Sequence, residues 1–475
     1  MANVDQNKTS YLVELRQLGY LAAPIVIAQV SYMALNVVDV VVSGLYGVVD
    51  QAGVALGQSA FSPLTLLAMG ALMAVTPTVA QLHGAKKTHE TGPIVRQALW
   101  LALFLALVII AIMYNLEPLY HAVGVDDVAI PISMGYLKAL SFGIPAFLAF
   151  YALRNLCEGL EMTLSTMLIV LSALAFKIPL TYVLVFGVGE INGFGGAGCG
   201  IASAIVFWYM LIAMVVAISL TRLKESRVFE RLETPKFDTI LQLAKLGFPM
   251  GLTIFVEIAF FSAATILIGR LGVVAVAAHQ IVLSVGLIGF MTSYSICIAT
   301  TIRSALHVGG GNTQNTNKTA LASTTLAISL GVVFVVILLS LHNEIASVYS
   351  SNNEVLNLTT PLFMLCAVFL FLDTIQHSFI GTLRGFKDAN VPMIQAAASF
   401  WCVGMPIGVL LTFGLVMVHP FGVHGFWYGL IVAAATASIL QLVRVRWVLR
   451  NAHMFVPCGN PDTTVRTNRK TENRH

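Results

Sequence analysis

Twelve long apolar runs, separated by short polar segments, dominate the pattern along the chain. Each run holds about 20 consecutive apolar residues, the length that an α-helix needs to cross a bilayer. The pattern therefore predicts an all-α integral membrane protein. The expected spans lie near residues 18–43, 52–80, 95–115, 130–155, 165–187, 197–221, 240–268, 276–305, 319–341, 358–382, 391–415 and 424–448.

The polar segments alternate in charge along the chain. Lys and Arg are concentrated in alternate segments and at Arg154 near the end of the fourth span, whereas the segments between them carry none apart from Arg270. Under the positive-inside rule this alternation places both termini in the cytoplasm, which requires an even number of spans. The basic segments are 83–96, 221–236, 383–390 and the C-terminal tail, and the segments without Lys or Arg include 117–127, 187–196 and 342–355.

Composition narrows the class of protein. The chain is 57% hydrophobic and only 10% charged, against about 25% charged for a soluble domain. The formal charge of +4 is too small and too scattered to indicate nucleic acid. The cysteines have no CxxC spacing, which favours packing over metal binding. We expect the lipid bilayer as surroundings, no cofactor and no resident metal.

The second half of the chain repeats glycines, prolines and a serine of the first at a nearly constant offset. This order predicts two pseudo-symmetric six-helix bundles with the same orientation, as in parallel-repeat transporters. We expect an N-terminal lobe at 1–221, an interfacial linker at 222–239, a C-terminal lobe at 240–450 and a basic, disordered tail at 451–475. The matched pairs include Pro24 with Pro249, Gly44 with Gly269, Gly84 with Gly309 and Gly195 with Gly422.

Three carboxylates lie inside the apolar runs: Asp39, Glu257 and Asp373. An ionised acid at bilayer depth costs about 3 kcal/mol, so such residues usually line a cavity and have a function there. The duplication does not copy them, since Asp39 corresponds to Ala264 and Glu257 to Tyr32. The scaffold is symmetric and the acids are not, which favours selected ion-coupling sites.

Six segments together resemble one family. They are VVDVVVSGLYG (37–47), TPTVAQLHGA (76–85), YLKALSFGIPAFLAFYALRNLCEGL (136–160), GFGGAGCGIASA (193–204), AAHQI (277–281) and LDTIQHSFIGTLRGFKD (372–388). The chain resembles multidrug and toxic compound extrusion (MATE) transporters of the bacterial NorM type over about residues 12–450. The resemblance implies two six-helix lobes around a V-shaped cavity. It also implies cation-driven export of amphiphilic, often cationic compounds.

The resemblance also implies roles for the acids. Asp39 matches the N-lobe acid implicated in ion or proton binding. Glu257 and Asp373 match two C-lobe acids implicated in cation coupling. Binding of Na⁺ by Glu257 and Asp373 therefore stays an open alternative. Lys177 stands where related proteins commonly have asparagine, and Thr181 replaces a second asparagine. Our hypothesis is that Lys177 pairs with Asp39 and occupies the volume of a sodium ion. The alternative is that Lys177 snorkels or faces a wet cavity without touching Asp39.

The tenth predicted span, near residues 358–382, departs from the pattern of related proteins at two further positions. Phe369 and Leu370 stand where Tyr-Gln is common. The exchange removes oxygen ligands near Asp373 and weakens the case for sodium. Proton coupling is therefore favoured over sodium coupling.

Several other residues are weaker candidates. Asn36, one turn before Asp39, is a candidate partner for that acid, although helix packing explains it equally well. Helix-end orientation and capping adequately explain Arg303 and Arg384. The candidates for lining a substrate cavity are Gln280, Gln376, Tyr294 and Phe261.

The function expected is a cation-coupled antiporter in a bacterial inner (plasma) membrane, acting as a monomer. The alternative is a flippase for a lipid-linked saccharide, which would need a basic cavity where this chain offers acids. An enzyme is not expected, because the sequence has no HExxH or GxSxG motif.

Overall fold

The computed structural model describes residues 10–188, 191–231, 233–350, 352–414 and 420–455. Most of the predicted disordered tail lies outside these residues. Apart from a two-residue pairing of β1 (Gly187–Val188) with β2 (Ile191–Asn192), the described elements are helical. In chain order the α-helices are α1 Tyr11–Tyr46, α2 Val48–Leu72, α3 Val75–Gly84, α4 Thr91–Tyr114, α5 Glu117–Val123, α6 Ala129–Ser141, α7 Ile144–Gly159, α8 Thr163–Phe186, α9 Gly196–Leu220, α10 Phe237–Ile268, α11 Val273–Gly309, α12 Thr313–Tyr349, α13 Asn353–Gly385, α14 Asn390–Ala397, α15 Met405–Phe413 and α16 Val423–Arg450.

The helices account for the twelve predicted spans. Eleven helical segments of the described chain are long and apolar enough to cross a membrane, and α6 with α7, bent by 51°, gives the twelfth when the pair is counted as one span. Helices α2 and α3 share one span, as do α14 and α15, which a π-helical turn at Ala398–Gly404 joins. The predicted all-helical membrane fold is confirmed.

Prolines lie inside several of these helices. Pro24 is in α1, Pro179 in α8 and Pro249 in α10. Each removes a backbone hydrogen-bond donor from its helix, and neighbouring helices make this tolerable within a membrane.

The duplication is visible in the backbone of two matched glycines. Gly195 precedes α9 with φ 56° and ψ −139°, and Gly422 precedes α16 with φ 57° and ψ −137°. A side chain at this positive φ would be strained, so glycine is needed in both copies. Equivalent spans of the two halves therefore begin with the same turn.

Small residues let the two halves meet closely. We call the predicted halves the N-lobe (1–221) and the C-lobe (240–450). Gly70 of α2 packs directly on Gly251 of α10, Gly84 of α3 on the Leu306 carbonyl, and Gly309 of α11 on the Gln81 carbonyl. A methyl group at any of these glycines would collide with backbone, so α2, α3, α10 and α11 form the tight contact between the lobes.

The predicted linker is held against the N-lobe. After α9 the chain makes a short 3₁₀-helix, Arg222–Ser226. The Arg96 guanidinium of α4 then donates to the Glu233 carboxylate over 2.7 Å. This hydrogen bond lowers the pKa of Glu233 below its ordinary value.

Candidate functional site

The N-lobe acid lies where α1, α8 and α9 meet. Asp39 of α1 is buried, and its Oδ2 is 2.9 Å from Lys177 Nζ of α8. Lys177 Nζ also donates to the Leu35 carbonyl over 2.8 Å and to Ser203 Oγ over 2.9 Å. Ser203 Oγ donates in turn to Asp39 Oδ2 over 3.0 Å. The structure therefore brings Lys177 and Asp39 together, and the ammonium does not snorkel.

The contacts of Lys177 saturate its hydrogen-bonding capacity. An ammonium has three donors, and three oxygen atoms accept from Lys177. A buried ion pair is stable only with such good geometry and additional hydrogen bonds, because both charges have lost their water. This site is consequently a buried salt bridge in which Asp39 Oδ2 is bonded and Asp39 Oδ1 has no hydrogen-bond partner in the described chain.

The two other candidate partners of Asp39 do not take part in this arrangement. Asn36 is exposed on α1, and Gln58 Nε2 donates to its backbone carbonyl over 3.3 Å. Position 36 is rotated away from the α8–α9 side of the helix, so its proximity in sequence gives no contact. Thr181 is buried, but its hydroxyl has no hydrogen-bond partner in the described part of the chain.

The two C-lobe acids share one site with a histidine. Glu257 of α10 and Asp373 of α13 are buried together with His377 of α13. His377 Nδ1 is 3.2 Å from Asp373 Oδ1, and His377 Nε2 is 4.0 Å from Glu257 Oε2. Gln376 Nε2 donates to Glu257 Oε1 over 2.8 Å. The imidazole therefore lies between the two carboxylates.

His377 was missed by the sequence reasoning. The signal that points to it is its position four residues after Asp373 on one helix, where two side chains are neighbours. One ligand atom from each of Glu257, Asp373 and His377 falls within 4.8 Å of the others. Such a triad can hold a proton or a cation between its members. A hard cation such as Na⁺ fits it less well, because a nitrogen takes the place of an oxygen ligand.

The candidate cavity residues fall into different places. Gln376 belongs to the acid site of the C-lobe. Tyr294 is buried between the lobes, with its hydroxyl 3.6 Å from Met73 Sδ. Phe261 is partly buried and packs edge-on against Phe369, with ring centroids 5.7 Å apart. Gln280 is exposed. Only Tyr294 of these lies at the interface between the two lobes.

A second cluster of charges crosses from one lobe to the other, near the ends of helices predicted to face the cytoplasm. Arg303 of α11 binds both oxygens of Glu14 of α1, over 2.9 and 2.8 Å, and its Nη1 is 2.6 Å from Glu161 Oε1. His307 Nε2 is 3.3 Å from Glu14 Oε1. We call these four residues the cytoplasmic interface. Capping does not explain Arg303, because its partners belong to the other lobe.

The fold and these clusters define a class of protein. Twelve spans arranged as two repeated halves, with ionisable residues buried inside each half, are the features of a secondary transporter.

Comparison with known proteins makes the class specific. The MatE family model matches residues 24–183 and 249–410. The multidrug resistance protein MdtK of Yersinia pseudotuberculosis is 34% identical over 448 residues, covering 94% of this chain and 98% of that protein. The MdtK of Yersinia enterocolitica matches to the same extent. The chain therefore belongs to the MATE family, whose members are transporters and not enzymes.

Solved structures agree on the fold. The eukaryotic MATE transporter AtDTX14 superposes with a TM-score of 0.81 at 18% identity, covering 94% of this chain and 99% of that one. The Vibrio cholerae MATE transporter VcmN in its bent form gives 0.84 at 15% identity, covering 94% and 100%. The resemblance found in the sequence motifs is thus confirmed for family and fold.

Proposed function

We propose that the protein is a proton-coupled antiporter that exports amphiphilic, often cationic drugs and toxic compounds by alternating access. The MdtK relatives carry multidrug resistance in their names, which supports the substrate class. We place the protein in a bacterial plasma membrane, with both termini in the cytoplasm and the monomer as the working unit.

One observation carries the choice of proton over sodium: the buried acids of both lobes already contact a nitrogen base. Lys177 Nζ lies 2.9 Å from Asp39 Oδ2, and His377 Nδ1 lies 3.2 Å from Asp373 Oδ1. A sodium ion at Asp39 would lie a few ångströms from the ammonium, where like charges repel by several kcal/mol. At each of these acids a nitrogen therefore occupies a place that a sodium ion would fill with an oxygen ligand.

Charge counting distinguishes the two sites. Asp39 and Lys177 compensate each other as one anion and one cation. Glu257, Asp373 and His377 total one net negative charge when the imidazole is protonated and both acids are ionised. One further proton neutralises this group. We therefore assign proton binding and release to the C-lobe triad and a structural role to the N-lobe pair.

The triad supports a simple coupling mechanism. A cationic substrate is attracted to the net negative triad, and a proton bound there removes that attraction. Proton and substrate therefore compete for one set of carboxylates. Competition of this kind is sufficient for antiport when each ligand favours a different facing state.

The cytoplasmic interface supports alternating access. Arg303 holds Glu14 and Glu161 of the other lobe, and the glycine contacts of α3 with α11 lie beside it. Under the orientation that we propose, these contacts close the cytoplasmic side. Opening toward the cytoplasm requires that they break, whereas the acid sites lie within single lobes and move with them.

The flippase alternative has less support. A pyrophosphate-linked lipid needs several positive charges, and each lobe presents carboxylates.

Efflux from proteoliposomes tests the proposal. The purified protein is reconstituted with a cationic dye, and ΔpH and ΔpNa are imposed separately. We expect export driven by ΔpH alone. The Lys177→Asn variant, with Lys138→Asn as control, asks whether loss of the ammonium admits sodium. Export by the wild type under ΔpNa alone would overturn the assignment of the coupling ion.

A further inference from the structure

One buried guanidinium differs from the other buried basic side chains of the described chain. Arg384 of α13 is only 5% exposed. Its Nη2 donates to the Met250 carbonyl over 3.0 Å, and its Nη1 is 3.7 Å from Cys297 Sγ. No carboxylate of the described residues lies within 4.0 Å of it. Other buried basic residues each have such a partner: Arg96 with Glu233, Arg154 with Glu158, Lys177 with Asp39, and Arg303 with Glu14.

Arg384 faces a narrow cavity between the lobes. The N-lobe contributes Tyr151, Asn155 and Glu158 to its wall, and the C-lobe contributes Tyr294 and Arg384. Because both lobes line it, the cavity must change shape when the lobes move against each other. It adjoins the C-lobe triad, because the Tyr294 ring packs edge-on against His377 with ring centroids 6.3 Å apart.

The electrostatic balance of this cavity is positive. Glu158 lines it, but its Oε1 accepts from Arg154 Nε over 2.6 Å, so that carboxylate already has its own cation. Glu257 is two helical turns from Met250 on α10, roughly 10 Å along the helix axis. Arg384 therefore has no ion-pair partner within 4.0 Å in the described chain, and Glu257 of the triad acts on it only through a longer-range charge interaction. A buried charge of this kind is costly, and an anion that entered the cavity would relieve the cost.

The cavity also has a hydroxyl to offer an anion. The Tyr294 hydroxyl contacts the Met73 thioether at 3.6 Å and also interacts with the Tyr151 side chain, and a thioether sulfur is a weak acceptor. An anion beside Arg384 would be a better acceptor for this O–H.

We propose that Arg384 and Tyr294 bind a small monovalent anion at the interface between the lobes. The anion is either a free halide or the carboxylate of a zwitterionic substrate. The second source rests on the proposed export function, and the first does not. One unpaired guanidinium in a narrow cavity matches a single negative charge and not a phosphate.

Halide binding is tested on the purified full-length protein. Its thermal unfolding is followed in sodium chloride and in sodium gluconate of equal ionic strength. If the anion is a free halide, chloride raises the melting temperature of the wild type. Arg384→Gln removes the effect, Arg384→Lys keeps part of it, and crystals soaked in bromide give an anomalous peak beside Arg384. Arg444→Gln is the matched control, because Arg444 already pairs with Asp388 over 2.7 Å in the same lobe.

The carboxylate source is tested by export of two dyes. A zwitterionic rhodamine acid and its methyl ester differ in one negative charge. If the substrate supplies the anion, Arg384→Gln slows export of the acid about tenfold or more relative to the ester, the factor expected for loss of a charged hydrogen bond. Tyr294→Phe should also lower the export rate of the acid relative to that of the ester. Because this variant keeps Arg384, it tests the site even if Arg384→Gln does not fold.

Failure of the anion site can be distinguished from failure of the proposed function in these two experiments, the chloride measurement and the dye export. If the wild type exports neither dye, the antiporter proposal fails while the chloride measurement still tests the site. The anion site is overturned if chloride stabilises the wild type no better than gluconate and Arg384→Gln slows acid and ester equally. It is also overturned if Arg384→Gln retains the full chloride effect.

Discussion

The two lobes share one scaffold and differ in the charge at their centres. In the N-lobe, one acid meets one ammonium with all three donors in use. In the C-lobe, two acids meet one imidazole, and each lobe has a carboxylate oxygen without a hydrogen-bond partner in the described chain, Asp39 Oδ1 and Asp373 Oδ2. One acid and one ammonium balance each other and hold helices together, whereas two acids and one imidazole keep a net negative charge to which another proton can bind. The difference teaches that, in the function we propose, a repeated fold places stability in one half and ion coupling in the other.

The largest expected effect comes from breaking the N-lobe pair. Asp39→Asn leaves the Lys177 ammonium buried without its counter-ion, which we expect to cost about 3–5 kcal/mol of stability. The double variant Asp39→Asn/Lys177→Met removes both charges and should recover most of the loss. Unfolding in one detergent measures both. Equal stability of the single and double variants would argue against a structural role for this pair.

Neutralising a C-lobe acid should act on transport instead of stability. Asp373→Asn removes the net negative charge of the triad, and we expect ΔpH-driven export of a cationic dye to fall about 10–100-fold. The melting temperature should change less than for Asp39→Asn. The control is Glu354→Gln, an acid in the first turn of the same helix. Normal export by Asp373→Asn would move the coupling site out of the C-lobe.

Replacing the imidazole sharpens the choice of ion. His377→Gln puts a neutral amide oxygen beside Glu257 and Asp373, and we expect export to respond a few-fold to ΔpNa, because oxygen ligands suit hard cations. Dye export is measured under each gradient alone, with His279→Gln in the same lobe as the matched histidine control. If dye export by His377→Gln is driven by ΔpH and does not respond to ΔpNa, His377 is not the residue that excludes sodium.

The smallest effect concerns the linker between the lobes. The Arg96 hydrogen bond lowers the pKa of Glu233 below 4.5, so its contribution is present above pH 4.5 and is lost as the pH falls through the folded-state pKa. We expect at most about 1 kcal/mol from this pair. Glu233→Gln should therefore narrow the stability difference between about pH 6 and about pH 3. Melting curves that keep the wild-type pH dependence would show that other groups cause it.

The sequence by itself determined the twelve spans, the repeat and the family. Each depends on local sequence pattern: apolar runs long enough to cross a bilayer, glycines in a fixed order such as Gly195 and Gly422, and family motifs that are continuous in sequence. It also placed Asp39, Glu257 and Asp373 inside the membrane, because a charge in an apolar run is visible in one dimension. The pairing of Lys177 with Asp39 was one of two open alternatives until the helices were assembled.

Only the tertiary structure decided which side chains meet. The bonds of Lys177 to Asp39, Gln376 to Glu257 and Arg303 to Glu14 join residues 138, 119 and 289 positions apart. In a soluble helix the hydrophobic face identifies the core side. In a membrane the lipid-facing side is apolar as well, so the pattern does not show how each helix is rotated about its axis. That rotation placed His377 between two acids, left Asn36 on the exposed side of α1, and left Arg384 without a carboxylate within 4.0 Å in the described chain.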